Sequence, residues 1–260
     1  MTPKKPLDTD LARTTIIFCD GACSGNPGRG GWGAIIATPT GKVMELGGPD
    51  ASTTNNKMEL TGAIQALDAI SDRHIEVPPG PLHLYTDSTY VIRGITQWIW
   101  GWMKNGWKSS DGGDVSNKEL WKELSAAVAR VKKEHPISWK FVKGHSGVAG
   151  NERCDEIAVA FSSGKSIQLY RGTLLKYDVP IMDLPPDVPL PEPKFGVQEK
   201  KVAYSYLSVI GSVPMRHTNW PDCERRVKGQ SGAKFKKAMS PEEEAVILRS
   251  WGFDPSKTKI

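Results

Sequence analysis

Short runs of β-branched and aromatic residues open the chain, and stretches with apolar residues every three to four positions follow them. Thr15–Asp20 (TIIFCD) is such a run, stopped by Gly21, and reads as a strand. Trp32–Thr38 and Lys42–Leu46 flank a turn at Pro39–Gly41 and read as an antiparallel meander. Asn56–Ser71 carries Ala63, Ala66, Leu67 and Ile70 at helical spacing. Leu82–Asp87 reads as a strand, followed by a helix-like run from Ser88. Asn117–Glu134 is a long amphipathic helix, Ile137–Val142 a strand, and Asn151–Ser163 a helix with Cys154, Ile157, Ala158 and Phe161 on one face. Strands interleaved with helices in this order predict an α/β fold with a mixed sheet.

Pro180, Pro185, Pro186, Pro189, Pro191 and Pro193 then crowd into a segment that cannot be helix or central strand. It reads as an extended, semi-rigid spacer over 167–199. Beyond it, Lys201–Ile210 and Ala233–Ala238 read as strands and Pro221–Lys228 as a short helix. Ser240 caps a second helix, with Pro241 at its first position and an acid three residues on, and Gly252 ends it. The expected organisation is a body over 12–166, the spacer, and a small α+β domain over 200–254.

Charge sharpens this division. The 260 residues carry a net +5, with 34 basic and 29 acidic side chains. Residues 1–169 hold 19 basic and 18 acidic groups, whereas residues 200–260 hold 12 and 6. A near-neutral body followed by a basic module points to a polyanion-binding addition, though a merely solvated basic surface gives the same composition. No apolar run reaches the ~20 residues of a membrane span, and MTPKKPLDTD has no apolar signal stretch. No membrane association is expected. Cys19, Cys23, Cys154 and Cys223 fit no common zinc spacing and suit a reducing, cytoplasmic setting as small apolar residues.

Four acids stand where acids are expensive. Asp20 and Asp87 each end an apolar strand, Glu59 lies at the rim of a helix's apolar stripe, and Asp155 sits beside buried Cys154. Each has an ordinary explanation: turn residues at strand ends, a capping-box acid after Asn56, and a helix-dipole partner. Were all four to converge, they would repel one another unless cations neutralised them, and oxygen-only ligands favour Mg²⁺ or Mn²⁺.

The blocks IIFCDGACSGNPGRGGWGA, TTNNKMEL, LYTDSTYV, GITQWIWGWMKNGWK, KELW and KGHSGVAGNERCDEIA together resemble a type 1 ribonuclease H, over roughly residues 14–164. The resemblance implies a ribonuclease H-like fold, with a five-stranded mixed sheet flanked by helices. It implies metal-binding catalytic carboxylates at Asp20, Glu59, Asp87 and Asp155, and a loop histidine, His145, that moves protons or helps product leave. The activity implied is endonucleolytic hydrolysis of the RNA strand of RNA/DNA hybrids with two Mg²⁺ ions (Mn²⁺ as substitute), leaving 5′-phosphate and 3′-hydroxyl ends. RNA contacts are implied at Cys23, Gly25, Asn26, Asn55 and Asn56, with Glu59 also near the 2′-hydroxyl. DNA contacts are implied at Thr54, Trp98, Lys104, Trp107 and Lys108, with Trp100 and Trp102 expected to be packed. Thr89 and Gly101 replace amides that relatives often carry there, which predicts altered affinity or sequence preference rather than lost activity.

The segment NWPDCERRVKGQSGAKFKKAMSPEEEA resembles the hybrid-binding, viroplasmin-like domain of eukaryotic ribonucleases H. That resemblance implies nucleic-acid contacts at Trp220, Phe235, Lys236 and Lys237; the plainer alternative makes the two aromatics a mini-core. The partners expected are an RNA/DNA hybrid and, through the C-terminal domain, duplex nucleic acid, bound by a monomer. A non-catalytic hybrid-binding protein and a different two-metal nuclease are the competing readings.

Overall fold

Alternation along β1 (Thr15–Gly25) sends successive side chains to opposite faces of a sheet. Ile17 and Cys19 enter a core with Leu60, Ala63, Leu67, Trp121 and Leu124, whereas Ile16 and Phe18 enter another with Ile35, Val43, Tyr85 and Val142. The protein is described by a computed structural model over residues 11–109, 112–192 and 203–255. It divides into two units, residues 1–191 and 192–260.

In the first unit β1 pairs antiparallel with β2 (Gly28–Ala37), which pairs with β3 (Lys42–Thr53). The helix α1 (Asn55–Ser71) returns the chain to β4 (Leu82–Thr86), parallel to β1. Next come α2 (Thr89–Arg93), a π-helical turn over Gly94–Trp98, α3 (Ile99–Lys104) and α4 (Lys118–Val131). Then β5 (Ile137–Phe141) adds parallel to β4, and α5 (Ala149–Ser162) crosses β1 and β2. One face of the sheet is covered by α1 and α4, the other by α5.

The mixed α/β architecture is as expected, with three differences. First, β1 does not stop at Gly21, β2 begins before Trp32 and β3 runs past Leu46. The glycine-rich stretches outside the predicted strands instead pair in register, Asp20 opposite Gly33 and Gly25 opposite Gly28. Second, the sheet has six strands rather than five, in the order β5-β4-β1-β2-β3-β6. The extra edge strand, β6 (Arg171–Thr173), pairs with Met44, Val43 and Lys42 of β3. Third, residues 167–199 are therefore not free spacer throughout. Ile181, between two of the prolines, is 1% exposed and packs into the second core, and burying such a side chain stabilises by roughly 1.5–3 kcal/mol. Proline forbids regular structure but not burial, and composition alone could not separate the two.

The second unit is a three-stranded antiparallel sheet, β7 (Ser205–Ile210), β8 (Val213–His217) and β9 (Lys234–Ala238), in the order β8-β7-β9. Its helices are α6 (Trp220–Val227), capped by Asn219, and α7 (Pro241–Ser250), capped by Ser240. β8 was not legible in sequence because it contains Pro214, which an edge strand tolerates. Leu207, Ala238, Ile247 and Leu248 form its core. Residues 1–10, 193–199 of the predicted spacer, and Lys200, Lys201 and Val202 at the start of the predicted domain and strand lie outside the described residues. No helix among the described residues is long and apolar enough to cross a membrane.

Candidate active site

Asp20 sits within β1, not at its end, and is only 6% exposed. Phe18 pairs with Tyr85 in the parallel ladder, and extending that register by two residues sets Asp20 beside Asp87, just past β4. Both carboxylates thus stand toward the carboxyl end of adjacent parallel strands, where open α/β sheets present ligand sites. Asp20, inside its strand, has no strand-end turn role, whereas Asp87 does follow the last residue of β4.

Glu59 reaches this place because Gly21 lets α1 lie almost on β1. A Cβ on Gly21 would come within 2.3 Å of the Glu59 backbone nitrogen. The helix starts at Asn55 with Thr54 as its cap, so Glu59 lies in the second turn, too late for a capping box. Its carboxylate instead accepts hydrogen bonds from Asn55 Nδ2 (2.8 Å) and from the Ser88 hydroxyl. Ser88 is buried and also caps α2 by accepting from the Val91 N–H. Asp155 is the seventh residue of α5, which begins at Ala149, earlier than expected. It is therefore beyond the first turn, where a helix dipole acts.

Like charges and burial perturb the group together. Asp20 is pushed up from 3.8 to about 8, first by burial and then by Asp87, Asp155 and Glu59, against the Gly21 N–H that donates to its Oδ1 at 2.7 Å. Glu59 is raised by burial and Asp87, opposed by Ser88 and Asn55. Asp87 is raised by burial and Asp155, opposed partly by His145 and Asn151. The four acids share one electrostatic neighbourhood.

Three residues of this neighbourhood were missed in the sequence. Asn151, 3% exposed in the first turn of α5, donates from Nδ2 to Asp20 Oδ2 at 3.4 Å and lies close enough to Asp87 to favour its ionised form. Its buried Oδ1 has no hydrogen-bond partner among the described residues. Ser88 and Gly144 are the others; a Cβ on Gly144 would lie 2.4 Å from Asp87 Oδ2. The only sequence signal was adjacency to TD in TDSTYV and to the histidine in KGHSG. His145 is exposed, in the left-handed region (φ 53°), close enough to Asp87 to favour its ionised form.

Among the described residues, no three His, Cys, Asp or Glu side chains already close on a point that would hold a metal ion. The Glu59 carboxylate is held by Ser88 and Asn55. The donor set nonetheless fits a hard divalent cation: oxygen ligands only, raised proton affinities that a cation would reverse, and an orphan amide oxygen beside two of the acids.

Around this centre, Cys23, Gly25 and Asn26 lie on the β1–β2 hairpin, with Cys23 Sγ donating to Thr53 O at 3.4 Å. Thr54, Asn55 and Asn56 lie at the start of α1. In the aromatic–basic tract Trp98 is 37% exposed, while Trp102 packs between Trp98 and Trp121. Trp100, expected to be packed, is 67% exposed, because the segment faces solvent on that side. Trp107 is half-buried against the core, with Lys122 5.9 Å over its ring. Lys104 is exposed, and Lys108 pairs with Asp114 at 2.8 Å.

In the second unit Trp220 lies 5.5 Å from Phe235 and 5.8 Å from Tyr206, ring to ring. Trp220 and Phe235 are 37% and 53% exposed and stand outside the core, which removes the mini-core explanation. Lys237 pairs with Tyr206 and Phe235 with Ser208, so they share this face; Lys236 pairs with Leu207 on the opposite one. Lys236 therefore does not join the aromatic cluster.

A family model described as RNase H matches residues 12–163. Ribonuclease H of a Cyanothece species is 46% identical over 158 residues, covering 61% of this chain and 95% of that protein. Ribonuclease H of Mesorhizobium japonicum is 50% identical over 148 residues, covering 57% and 77%. The crystal structure of LC9-RNase H1, a type 1 RNase H with the type 2 active-site motif, superposes with a TM-score of 0.52. It is 30% identical, covering 62% of this chain and 78% of the other. The family match ends before the second unit.

Proposed function

The chain belongs to the ribonuclease H family, and we propose that it cuts the RNA strand of RNA/DNA hybrids internally, using Asp20, Glu59, Asp87 and Asp155 to hold two divalent cations. It is an enzyme with ribonuclease H activity, and enzymes of this family use divalent metal ions. The observation that carries the site assignment is the shared field of the four carboxylates, three of which hold their protons more tightly than usual.

Bound divalent cations would supply Lewis-acid stabilisation of phosphate charge and a more acidic water, and displacement of the ribose 3′ oxygen from phosphorus by water leaves 5′-phosphate and 3′-hydroxyl ends. The chain's own residues do the rest. Ser88 and Asn55 hold the Glu59 carboxylate, and Asn151 holds that of Asp20 and favours the ionised form of Asp87. His145, exposed beside Asp87, is placed to pass a proton to the departing ribose oxygen or to ease product exit. The hairpin and α1 start (Cys23, Gly25, Asn26, Asn55, Asn56) face the RNA and its 2′-hydroxyls. Thr54, Trp98, Lys104, Trp107 and Lys108 take the DNA strand, and exposed Trp100 extends that surface. In the second unit Trp220, Phe235 and Lys237 add a second grip on nucleic acid, and the enzyme acts as a monomer in the cytoplasm.

The test is digestion of a labelled hybrid beside single-stranded RNA, duplex RNA and duplex DNA, with Mg²⁺ and with Mn²⁺. Only the RNA of the hybrid should be cut. Cleavage of either homoduplex would refute the reading.

A further inference from the structure

Residues 168–191 lie beyond the matched family region yet are bonded into the nuclease body along their length. Their centre is Glu45 on β3, whose side chain is fully buried. It accepts four hydrogen bonds: Arg153 Nε at 2.7 Å, Arg153 Nη2 at 3.0 Å, the Tyr177 hydroxyl at 2.6 Å and the Tyr170 N–H at 2.8 Å. Arg153 Nη2 also donates to Gln168 O at 3.1 Å. Two of the four donors, and one of the acceptors on Arg153, thus come from this segment. Farther along, Ile181 is buried in the second core, Lys140 pairs with Asp187 at 2.6 Å, and Arg93 donates to Pro191 O.

A buried ion pair holds its geometry when its remaining lone pairs are satisfied, and here the segment satisfies them. Arg153 belongs to α5, two residues from Asn151 and two from Asp155. Asn151 and Asp155, four apart, share one helix face, whereas Arg153 lies on the far side. Pinning Arg153 therefore fixes the rotation of α5 about its axis. We propose that residues 168–191 are a strap that, through Tyr177, Glu45 and Arg153, positions α5 and so sets where Asn151 and Asp155 stand. The catalytic unit then extends to residue 191, not to the end of the family match. Tyr177, Glu45 and Arg153 are positioning residues, and the inference rests on the metal-holding role proposed for Asp155.

The experiment uses the full chain with Tyr177→Phe, which keeps the ring and removes one donor, and Glu45→Gln, which keeps the shape and removes the charge. Mn²⁺ binding is titrated by calorimetry without nucleic acid, and amide exchange is followed along α5. Both variants should bind Mn²⁺ several-fold more weakly and exchange faster in α5. In turnover, kcat should fall at low Mg²⁺ and recover at high Mg²⁺, with KM for the hybrid unchanged. Unaltered Mn²⁺ binding and unaltered Mg²⁺ dependence, with only a lower melting temperature, would overturn the proposal and leave the strap as a cover. Should Glu45→Gln not fold, Tyr177→Phe decides alone. Calorimetry and exchange need no hybrid, so a parent chain that binds Mn²⁺ yet cuts no hybrid would defeat the functional reading and not this one.

Discussion

Replacing Asp20 with Asn in the metal-free protein should stabilise it at neutral pH while abolishing activity. The Asp20 carboxyl titrates near 8 in the fold, against an ordinary value near 3.8. Because it binds its proton more tightly folded than unfolded, its stabilising effect is complete below about pH 4 and is lost as pH rises through about 8. At pH 7 the ionised form has been suppressed over about three units, a cost to the folded state of up to about 4 kcal/mol at 1.36 kcal/mol per unit. Asp20→Asn removes that cost but alters the hydrogen bonds to Gly21 and Asn151, so about 2 kcal/mol of net gain is expected. For a unit of this size that corresponds to a melting temperature roughly 4–8 °C higher. The assay is thermal unfolding in chelator across pH 5 to 8. The parent should lose stability as pH rises and the variant should lose less, with Glu59 and Asp87, also raised, supplying the slope that remains. Added Mg²⁺ should stabilise the parent far more than the variant, since a ligand stabilises only the state that binds it. An unchanged pH slope, or a variant less stable than the parent at pH 8 without metal, would refute the electrostatic account.

Asp87→Asn should abolish cleavage but preserve hybrid binding, measured by fluorescence anisotropy; retained cleavage would remove Asp87 from the site. Gly144→Ala would press a Cβ to 2.4 Å from Asp87 Oδ2, so kcat should drop at least tenfold with little change in melting temperature. A Cβ on Gly101 meets nothing within 4 Å, so Gly101→Asn should gain about 0.3 kcal/mol of helix stability while tightening hybrid binding. Combining Trp220→Ala with Lys237→Ala should weaken hybrid affinity and flatten its salt dependence by about one unit of slope, with kcat intact; unchanged binding across a salt series would point that face toward a protein partner instead.

The acids Asp20 and Asp87 were legible because each interrupts an apolar run, and a carboxylate in such a place needs a reason. Glu59 and Asp155 were equally open, since a cap and a dipole partner explained them as well as strand-end turns explained Asp20 and Asp87. The structure removes the cap and the dipole partner by where α1 and α5 begin. Asn151 and Ser88 gave no signal of their own, because an Asn or Ser at a helix start is ordinary capping chemistry. The strap was hidden by its prolines, which read as a spacer while Ile181 and Tyr177 were being buried.

Periodicity and local chemistry along the chain determined the alternation of strands and helices, the basic second unit and the candidate acids, because these depend on neighbours in sequence. Only the tertiary structure decided that Gly21 admits α1 onto β1, that Asn151 reaches a carboxylate 131 residues away from it, and that Glu45 draws Tyr177 across the sheet. Those contacts join residues with no local coupling. They arise where a missing Cβ permits close approach, or where a buried charge must find its partners wherever the fold provides them.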